Sequence, residues 1–228
     1  MRKTLLFAAI GLMALASCSS SKNVYRAADF SAQTATHQKI AVLPIRVVQT
    51  GWVGKKENPE SIRAANEAWS LQFQETLLSY VVSKAGKRRK GPMVTFQGAP
   101  QTNSLLAAAG LDIEKAYGQS PDSLAKVLGV DAVIMTTLDK RKNVSDGVAT
   151  AIGAGRDILR VLNTGAPGNT ILSDFNATDI NMNSTLYGRD GRMLWKTFRE
   201  GGEDLPKNVN ELVQYYSNWI AKKLPYRA

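Results

Sequence analysis

The amino-acid sequence predicts an α/β (α+β) fold, a single mixed sheet with an antiparallel hairpin, packed by a long N-terminal helix, short middle helices and a C-terminal helix. Residues 40–45 form a continuous apolar run, which is typical of a strand buried on both faces. Residues 59–84 carry apolar side chains at three- and four-residue steps, the spacing of an amphipathic helix. Apolar residues alternate over 180–186 and return after Asp190-Gly191, which indicates a hairpin. One sheet covered by helices accommodates all three patterns.

The first strand and the long helix come first in the chain. Pro44 indicates that the strand lies at a sheet edge or ends there, because proline has no N–H to donate. The helix places Trp69, Phe73 and Leu77 on its apolar face, and we expect Trp69 in the core. Gly86 is the expected end of the helix, since glycine readily adopts the left-handed conformation found there.

The middle of the chain predicts short elements. A strand is expected at 93–96, followed by a helix that Thr102 caps. Ser120 is the expected N-cap of the next helix, and Gly129 its end. A third, buried strand is predicted at 130–135.

The last third combines an insertion, the hairpin and a final helix. The segment at about 147–168 has its apolar residues on one helical stripe and is expected to be an insertion in the domain. Asp190-Gly191 is predicted as a two-residue turn with positive φ at both positions, after which Trp195 enters the core. A C-terminal helix is predicted over 209–224.

The N-terminus has the pattern of an export signal. A positively charged start precedes an apolar stretch over 5–15 that is too short to span a bilayer. The run that closes it is Leu15, Ala16, Ser17 and Cys18. This order resembles the bacterial lipobox, which implies that a diacylglyceryl group is attached to the Cys18 sulfur. The resemblance also implies that cleavage between Ser17 and Cys18 leaves Cys18 as the acylated first residue.

These patterns divide the chain into three parts. Residues 1–17 are the expected lipoprotein signal peptide, 18–38 a lipidated flexible tether reaching roughly 25 Å, and 39–228 the single domain. The lipid is expected to anchor the mature protein, which then lies beside the membrane without spanning it. Ser19 differs from the Asp that resembles an inner-membrane retention signal, so we expect the outer membrane. The domain then lies in the periplasm or is exposed at the surface.

Composition restricts the chemistry that is available. Cys18 is the only cysteine and is committed to lipid, so no disulfide or cysteine-ligated metal is expected. His37 is the only histidine and lies in the predicted tether, and no cofactor or metal is expected. The net charge of +10 indicates an anionic partner, yet an exported protein rarely meets nucleic acid. The basic run at 87–90 is therefore interpreted either as a solvated loop or as a weak contact with an anionic envelope polymer.

Three segments resemble a known family. They are the first strand at 39–45, the helix and strand at 120–134, and the hairpin at 186–195. Together they resemble bacterial envelope lipoproteins built on a TolB-N-terminal-like domain, the family that includes the penicillin-binding-protein activator LpoB, the curli secretion protein CsgG and uncharacterised lipoproteins. The resemblance implies a mixed sheet with packed helices in a lipid-anchored protein. The insertion at 147–168 departs from the compact activator pattern.

Two patterns suggest catalysis or nucleotide binding, and both fail on spacing. Ser123 and Lys126, with 145–147 and Lys196-Thr197, partly match the three motifs of penicillin-binding enzymes. The chain between Lys126 and residue 145 already contains a strand and leaves no room for the helical subdomain of those enzymes. Gly153-Ala154-Gly155 lacks the third glycine of a dinucleotide loop.

The sequence therefore predicts a non-enzymatic, lipid-anchored envelope protein that binds another protein. We expect an adaptor or activator of the cell-wall synthase activator type. One alternative is a self-assembling structural or secretion-apparatus subunit of the outer membrane. An envelope polymer hydrolase is the third and is disfavoured. The candidate contact residues are Trp52, in a glycine-flanked loop, and Ile152 and Leu159 in the insertion.

Overall fold

The computed structural model describes residues 23–51, 58–85, 94–142, 178–201, 206 and 209–226. Within these residues it contains seven strands and six helices in one mixed α/β fold, which confirms the predicted fold class. The strands are β1 (Val24–Arg26), β2 (Lys39–Val42), β3 (Arg46–Gly51), β4 (Thr95–Phe96), β5 (Ala132–Lys142), β6 (Thr178–Gly188) and β7 (Met193–Arg199). The helices are α1 (Phe30–Gln33), α2 (Pro59–Ala85), α3 (Ala99–Ala108), α4 (Ile113–Gly118), α5 (Pro121–Leu128) and α6 (Val209–Lys223).

The strands form one sheet in the order β1-β7-β6-β5-β2-β4, with β3 also paired to β5. β2 and β3 run parallel to β5, whereas β5, β6, β7 and β1 are antiparallel to one another in turn. The central strand β5 extends well past the predicted 130–135, to Lys142. The prediction ended too early because the later residues of β5 are polar, and pairing with β3 and β6 holds them in the sheet.

Helices cover both faces of the sheet. One core lies under α2 and α6, where Trp69, Phe73 and Tyr216 pack against Trp195 of β7. Trp195 is 0% exposed, as expected for a core residue. The other core lies under α3, α4 and α5. Alternate residues of the buried strands point to the two cores, as in a sheet with helices on both sides.

Two helix starts differ in detail from the prediction. Thr102 was the expected cap of α3, but this helix begins at Ala99, with Pro100 in its first turn, where a missing N–H costs nothing. The Thr102 hydroxyl is buried and donates to Gln97 Oε1 at 3.0 Å. Ser120 does occupy the N-cap position of α5, but its hydroxyl donates to Ser123 Oγ instead of capping the helix.

The predicted flexible tether over 18–38 is wrong from Asn23 onward. β1 pairs with β7, and the carbonyl of Asn23 accepts from the Phe198 N–H at 3.1 Å. Phe30 of α1 is buried in the core and meets the Tyr226 ring edge-on at 5.7 Å. Backbone pairing and this single aromatic anchor hold a segment that is polar in sequence. Residues 18–22 lie outside the described part of the chain.

His37, expected in the tether, is buried at the end of this segment. Its Nδ1 is hydrogen-bonded to the Tyr226 hydroxyl. Burial lowers the pKa of His37, and the nearby carboxylates of Asp131 and Asp190 oppose this shift. Asp131 accepts two backbone N–H donors from Gln38 and Lys39, which hold its own pKa below the usual value although burial raises it. The folded domain therefore begins near Asn23, and His37 joins its two termini.

The hairpin of β6 and β7 is present, but its turn is longer than predicted. The Gly191 N–H donates to the Gly188 carbonyl, and the Gly188 N–H to the Arg192 carbonyl, both at 2.9 Å. The loop is therefore the three residues Arg189 to Gly191, closed by Gly191 at φ +80°. The same residues fit either turn, and the strand register selects the longer one. Among the described residues, no helix combines the length and the apolar character needed to cross a bilayer.

Candidate interaction site at the open end of the sheet

The described parts of three strands extend past the rest of the sheet and reach the same level. β3 ends at Gly51, β5 ends at Lys142 and β6 begins at Thr178. These residues are partners in register, Gly51 with Lys142 and Lys142 with Thr178. β7 stops earlier, at Arg199, which pairs with Met182. We call the end formed by Gly51, Lys142 and Thr178 the open end.

β3 has a strand partner on one side only. It pairs in parallel with β5 over its full length, and no backbone hydrogen bond joins its outer side to a described residue. Alternate residues of a parallel strand point N–H and C=O away from the partner, so about half of these groups face outward. β3 has six residues, compared with three in β1 and two in β4. Among the described edge strands, β3 therefore offers the longest ladder to an added strand.

The outer edge of β3 begins at a bulge around Pro44. β2 and β3 pair with the same side of β5, but Val42 to Arg46 covers four steps while β5 advances three, from Ile134 to Thr137. One extra residue is accommodated here, and Pro44 contributes no N–H. The bulge separates β2, which β4 covers, from β3, which has no outer neighbour among the described strands.

The Tyr117 side chain of α4 fills the gap that the bulge leaves in the ladder. Its hydroxyl accepts from the Thr136 N–H at 2.9 Å. It lies 2.6 Å from the Thr136 carbonyl and 3.1 Å from the Pro44 carbonyl, and its single proton is donated to one of them. Burial raises the pKa of Tyr117 well above its usual range, so the hydroxyl stays protonated. A side chain thus replaces a missing strand partner on β5.

Charged side chains along β3 and β5 make local contacts, from the bulge to the open end. Arg46 pairs with Glu114 of α4 at 2.8 Å, and both side chains are exposed enough that the pair contributes little stability. Lys140 Nζ lies 4.4 Å above the Trp69 ring. Arg141 is exposed and lies opposite Asp179 in the register. The described basic side chains closest to the open end are therefore those of Lys140 and Arg141 on β5.

The residues predicted as sites lie outside the described residues. They are the lipid attachment site Cys18, the lipobox residues Leu15, Ala16 and Ser17, and the candidate contact residues Trp52, Ile152 and Leu159. Their attachment points are described, however. Trp52 follows Gly51 directly, and the segment 143–177 with both other contact residues leaves at Lys142 and returns at Thr178. The sheet thus brings the ends of the two predicted contact segments together.

The residues considered for catalysis do not come together. Lys126 Nζ binds Asp122 at 3.1 Å, and Ser123 Oγ accepts from Ser120. Both are contacts within one exposed turn of α5. In the part of the chain that the structure describes, no three His, Cys, Asp or Glu residues are grouped as metal ligands.

The outer edge of β3 and the role of Tyr117 could not be read from the sequence pattern. β3 has the sequence Arg-Val-Val-Gln-Thr-Gly, which does not alternate over enough residues to indicate a strand. Pro44 was the one available signal, since it marked an interruption in the first apolar run. Nothing in the sequence linked Tyr117 to that interruption.

Comparisons with known proteins find solved structures of loosely similar fold. No protein-family model matches the chain, and no curated protein sequence is significantly similar to it. The chain is similar to lipoprotein GNA1162 from Neisseria meningitidis (15% identity, 81% of this chain and 99% of the other, TM-score 0.39). It is also similar to the LpoB C-terminal domain from Salmonella enterica (12% identity, 73% of this chain and 84% of the other, TM-score 0.34). A third similar structure is a PelC dodecamer from Paraburkholderia phytofirmans (11% identity, 85% of this chain and 91% of the other, TM-score 0.36). With TM-scores below 0.5, these likenesses assign no function.

Proposed function

We propose that the chain is a lipid-anchored cell-envelope protein without catalytic activity, whose domain binds another envelope protein as an adaptor or activator. Its anchor is the acylated Cys18, and its membrane is the outer membrane, with the domain in the periplasm. The partner contacts the open end of the sheet and the segments that attach there. Trp52, Ile152 and Leu159 remain the candidate contact residues within those segments.

The observation that carries the proposal is the outer edge of β3, which has no strand partner among the described residues. An extended segment of another protein can add to such an edge as a further strand, with its backbone supplying the hydrogen bonds. The strand at this edge is six residues long, and no lysine or proline within it blunts the edge. Thr50 is exposed, and it lies two residues before the candidate contact residue Trp52 in the sequence.

A second copy of the chain is the other occupant that this edge fits, which corresponds to a self-assembling subunit. Two β3 strands could pair antiparallel about a twofold axis. Cleavage before Cys18 removes Arg2 and Lys3, which lowers the net charge from +10 to +8. This positive charge opposes close approach of two copies, so an acidic partner is favoured at moderate salt.

Site-specific photo-crosslinking tests the contact. A benzophenone side chain at exposed Thr50 should give one discrete adduct in intact envelopes, and the same probe at exposed Gln101 on α3 should give none. An adduct of twice the chain's own mass identifies a self-assembling subunit in place of an adaptor. Equal crosslinking from both positions, or none from Thr50, contradicts the proposed contact.

A charge on the edge provides an independent test. Thr50→Lys should reduce the amount of partner that co-purifies with the chain from native membranes, because a lysine on an edge strand opposes strand addition. Gln101→Lys adds the same charge on α3 and should leave recovery unchanged. If equal amounts of partner co-purify with both variants, the β3 edge does not take part in partner binding.

The anchor is tested separately. Cys18→Ser should leave an uncleaved precursor that takes up no labelled palmitate, because the acyl acceptor is lost. A variant that is processed and labelled like the parent would show that Cys18 is not the lipid attachment site.

A further inference from the structure

The first strand of the fold points its N-terminal end toward the open end of the sheet. β1 is antiparallel to β7, and Val24 pairs with Thr197. Thr197 in turn pairs with Ser184 of β6, and Ser184 pairs with Thr136 of β5, so Val24 is level with Thr136 in the sheet. Since β5 runs toward Lys142 and β1 runs the opposite way, the chain enters β1 from the side of the open end.

The stretch between the lipid site and the fold is short. Only Ser19 to Lys22 separate Cys18 from Asn23, where the described fold begins. Five residue steps reach at most about 18 Å when fully extended. The fold therefore begins within about 18 Å of Cys18, whereas a flexible tether extending to residue 38 would permit larger distances.

The open end lies at a matching distance. Asn23 is level with Thr137 in the sheet, and Lys142 is five residues further along β5. At about 3.3 Å per residue this is about 16 Å. A straight stretch from Asn23 thus ends level with Gly51, Lys142 and Thr178.

We propose that the open end of the sheet rests on the headgroups of the leaflet that holds the Cys18 lipid, with β5 directed toward the bilayer. The orientation rests on the proposed lipid anchor. It also means that a protein added to the β3 edge binds at the membrane surface. The partner's segment must therefore lie within reach of the headgroups.

The opposite end of the sheet does not fit this position. The Arg189 to Gly191 loop lies beyond Ala132, on the other side of Asn23. To bring it to the bilayer, the short stretch after Cys18 would have to reverse at Asn23 and run the length of the sheet beside β1. A reach of about 18 Å leaves no residues for that turn.

Charge agrees with this orientation without determining it. At the opposite end Arg192 is bonded to Asp190 at 2.6 Å and lies 3.7 Å from Asp29, so its charge is offset. At the open end Arg141 is exposed, and it pairs in register with Asp179. The inference rests on the length of the tether.

Fluorescence quenching in vesicles tests the orientation. Cys18 is the only cysteine. With the proposed lipid on its sulfur, one added cysteine accepts a thiol-reactive fluorophore selectively. The full lipidated chain with Thr50→Cys, or with Arg189→Cys as the matched control, is placed in vesicles of phosphatidylethanolamine and phosphatidylglycerol containing a nitroxide-headgroup lipid. Both positions are exposed, and their rows are about 30 Å apart along β5.

The fluorophore at Thr50 should lose fluorescence when the nitroxide lipid is present, and the fluorophore at Arg189 should keep it. Stronger quenching at Arg189, equal quenching at both positions or quenching at neither would overturn the orientation. Labelled palmitate on the same samples separates the causes. A chain without acyl label would overturn the anchor and the orientation together, whereas an acylated chain with the wrong quenching pattern would overturn the orientation alone.

Discussion

Removing the Tyr117 hydroxyl is the sharpest test of how the β3 edge is built. Tyr117→Phe keeps the ring in its core and deletes only the group that bonds to Thr136 and Pro44. The backbone of Thr136 points at the bulge, where no strand residue replaces the lost partner. The substitution therefore leaves polar groups of β5 unsatisfied inside the fold.

The magnitude follows from the hydrogen bonds that are lost. A buried N–H without a partner costs about 1–3 kcal/mol, and the lost donation to a carbonyl adds about 1 kcal/mol. We expect Tyr117→Phe to lower the free energy of unfolding by about 2–4 kcal/mol. Burial of the hydroxyl, which raises its pKa, means that water does not readily replace it.

Urea unfolding of residues 22–228, followed by tryptophan fluorescence, measures this loss. Tyr187→Phe is the matched control, because Tyr187 is half-buried in the same core and its hydroxyl bonds to no described residue. The control should change stability by no more than about 0.5 kcal/mol. If both variants are equally stable, the hydroxyl does not support the bulge and the account of the β3 edge is wrong.

Three further predictions concern the rest of the fold. Gly191→Val should destabilise the domain by about 1–2 kcal/mol, because a β-branched residue is strained at φ +80°; an unchanged melting temperature would argue against this turn. Trp195→Ala should cost about 3–5 kcal/mol in urea unfolding, since the side chain is 0% exposed, and a near-neutral result would place it at the surface. Burial lowers the pKa of His37 in the folded state. The neutral imidazole therefore stabilises the fold at pH values above its ordinary pKa of 6.5, and this stabilisation is lost as the pH falls. His37→Asn should flatten the stability profile between about pH 5 and 7, a window that lies above the titration of Asp131, and an unflattened profile would contradict the buried, neutral histidine.

The elements that the sequence predicted well are those whose apolar pattern and end signals agree. Helix α5 begins at Pro121 and is followed by its C-cap Gly129 with φ +62°, as the two residues indicated. Trp195 lies in the core, where the alternating pattern of the hairpin directed it. In each case a local rule and the final packing require the same conformation.

The features that could not be predicted depend on partners distant in sequence. β1 has no apolar alternation, and its pairing with β7 joins Val24 to Thr197, residues that are far apart in the sequence. His37 is buried because Tyr226, at the other terminus, meets it. The open end exists only because β3 and β6 flank β5, so no local pattern could show that Gly51, Lys142 and Thr178 lie side by side.

Replacing residues 147–168 with a short Gly-Ser linker tests most directly whether the open end binds a protein. We expect the variant to keep a cooperative melting transition and to lose the partner that co-purifies with the parent chain from native membranes. Loss of self-association instead would identify an assembly subunit. A variant that folds and still recovers every partner of the parent would contradict the proposed function, and a variant that fails to fold would show that the segment belongs to the core.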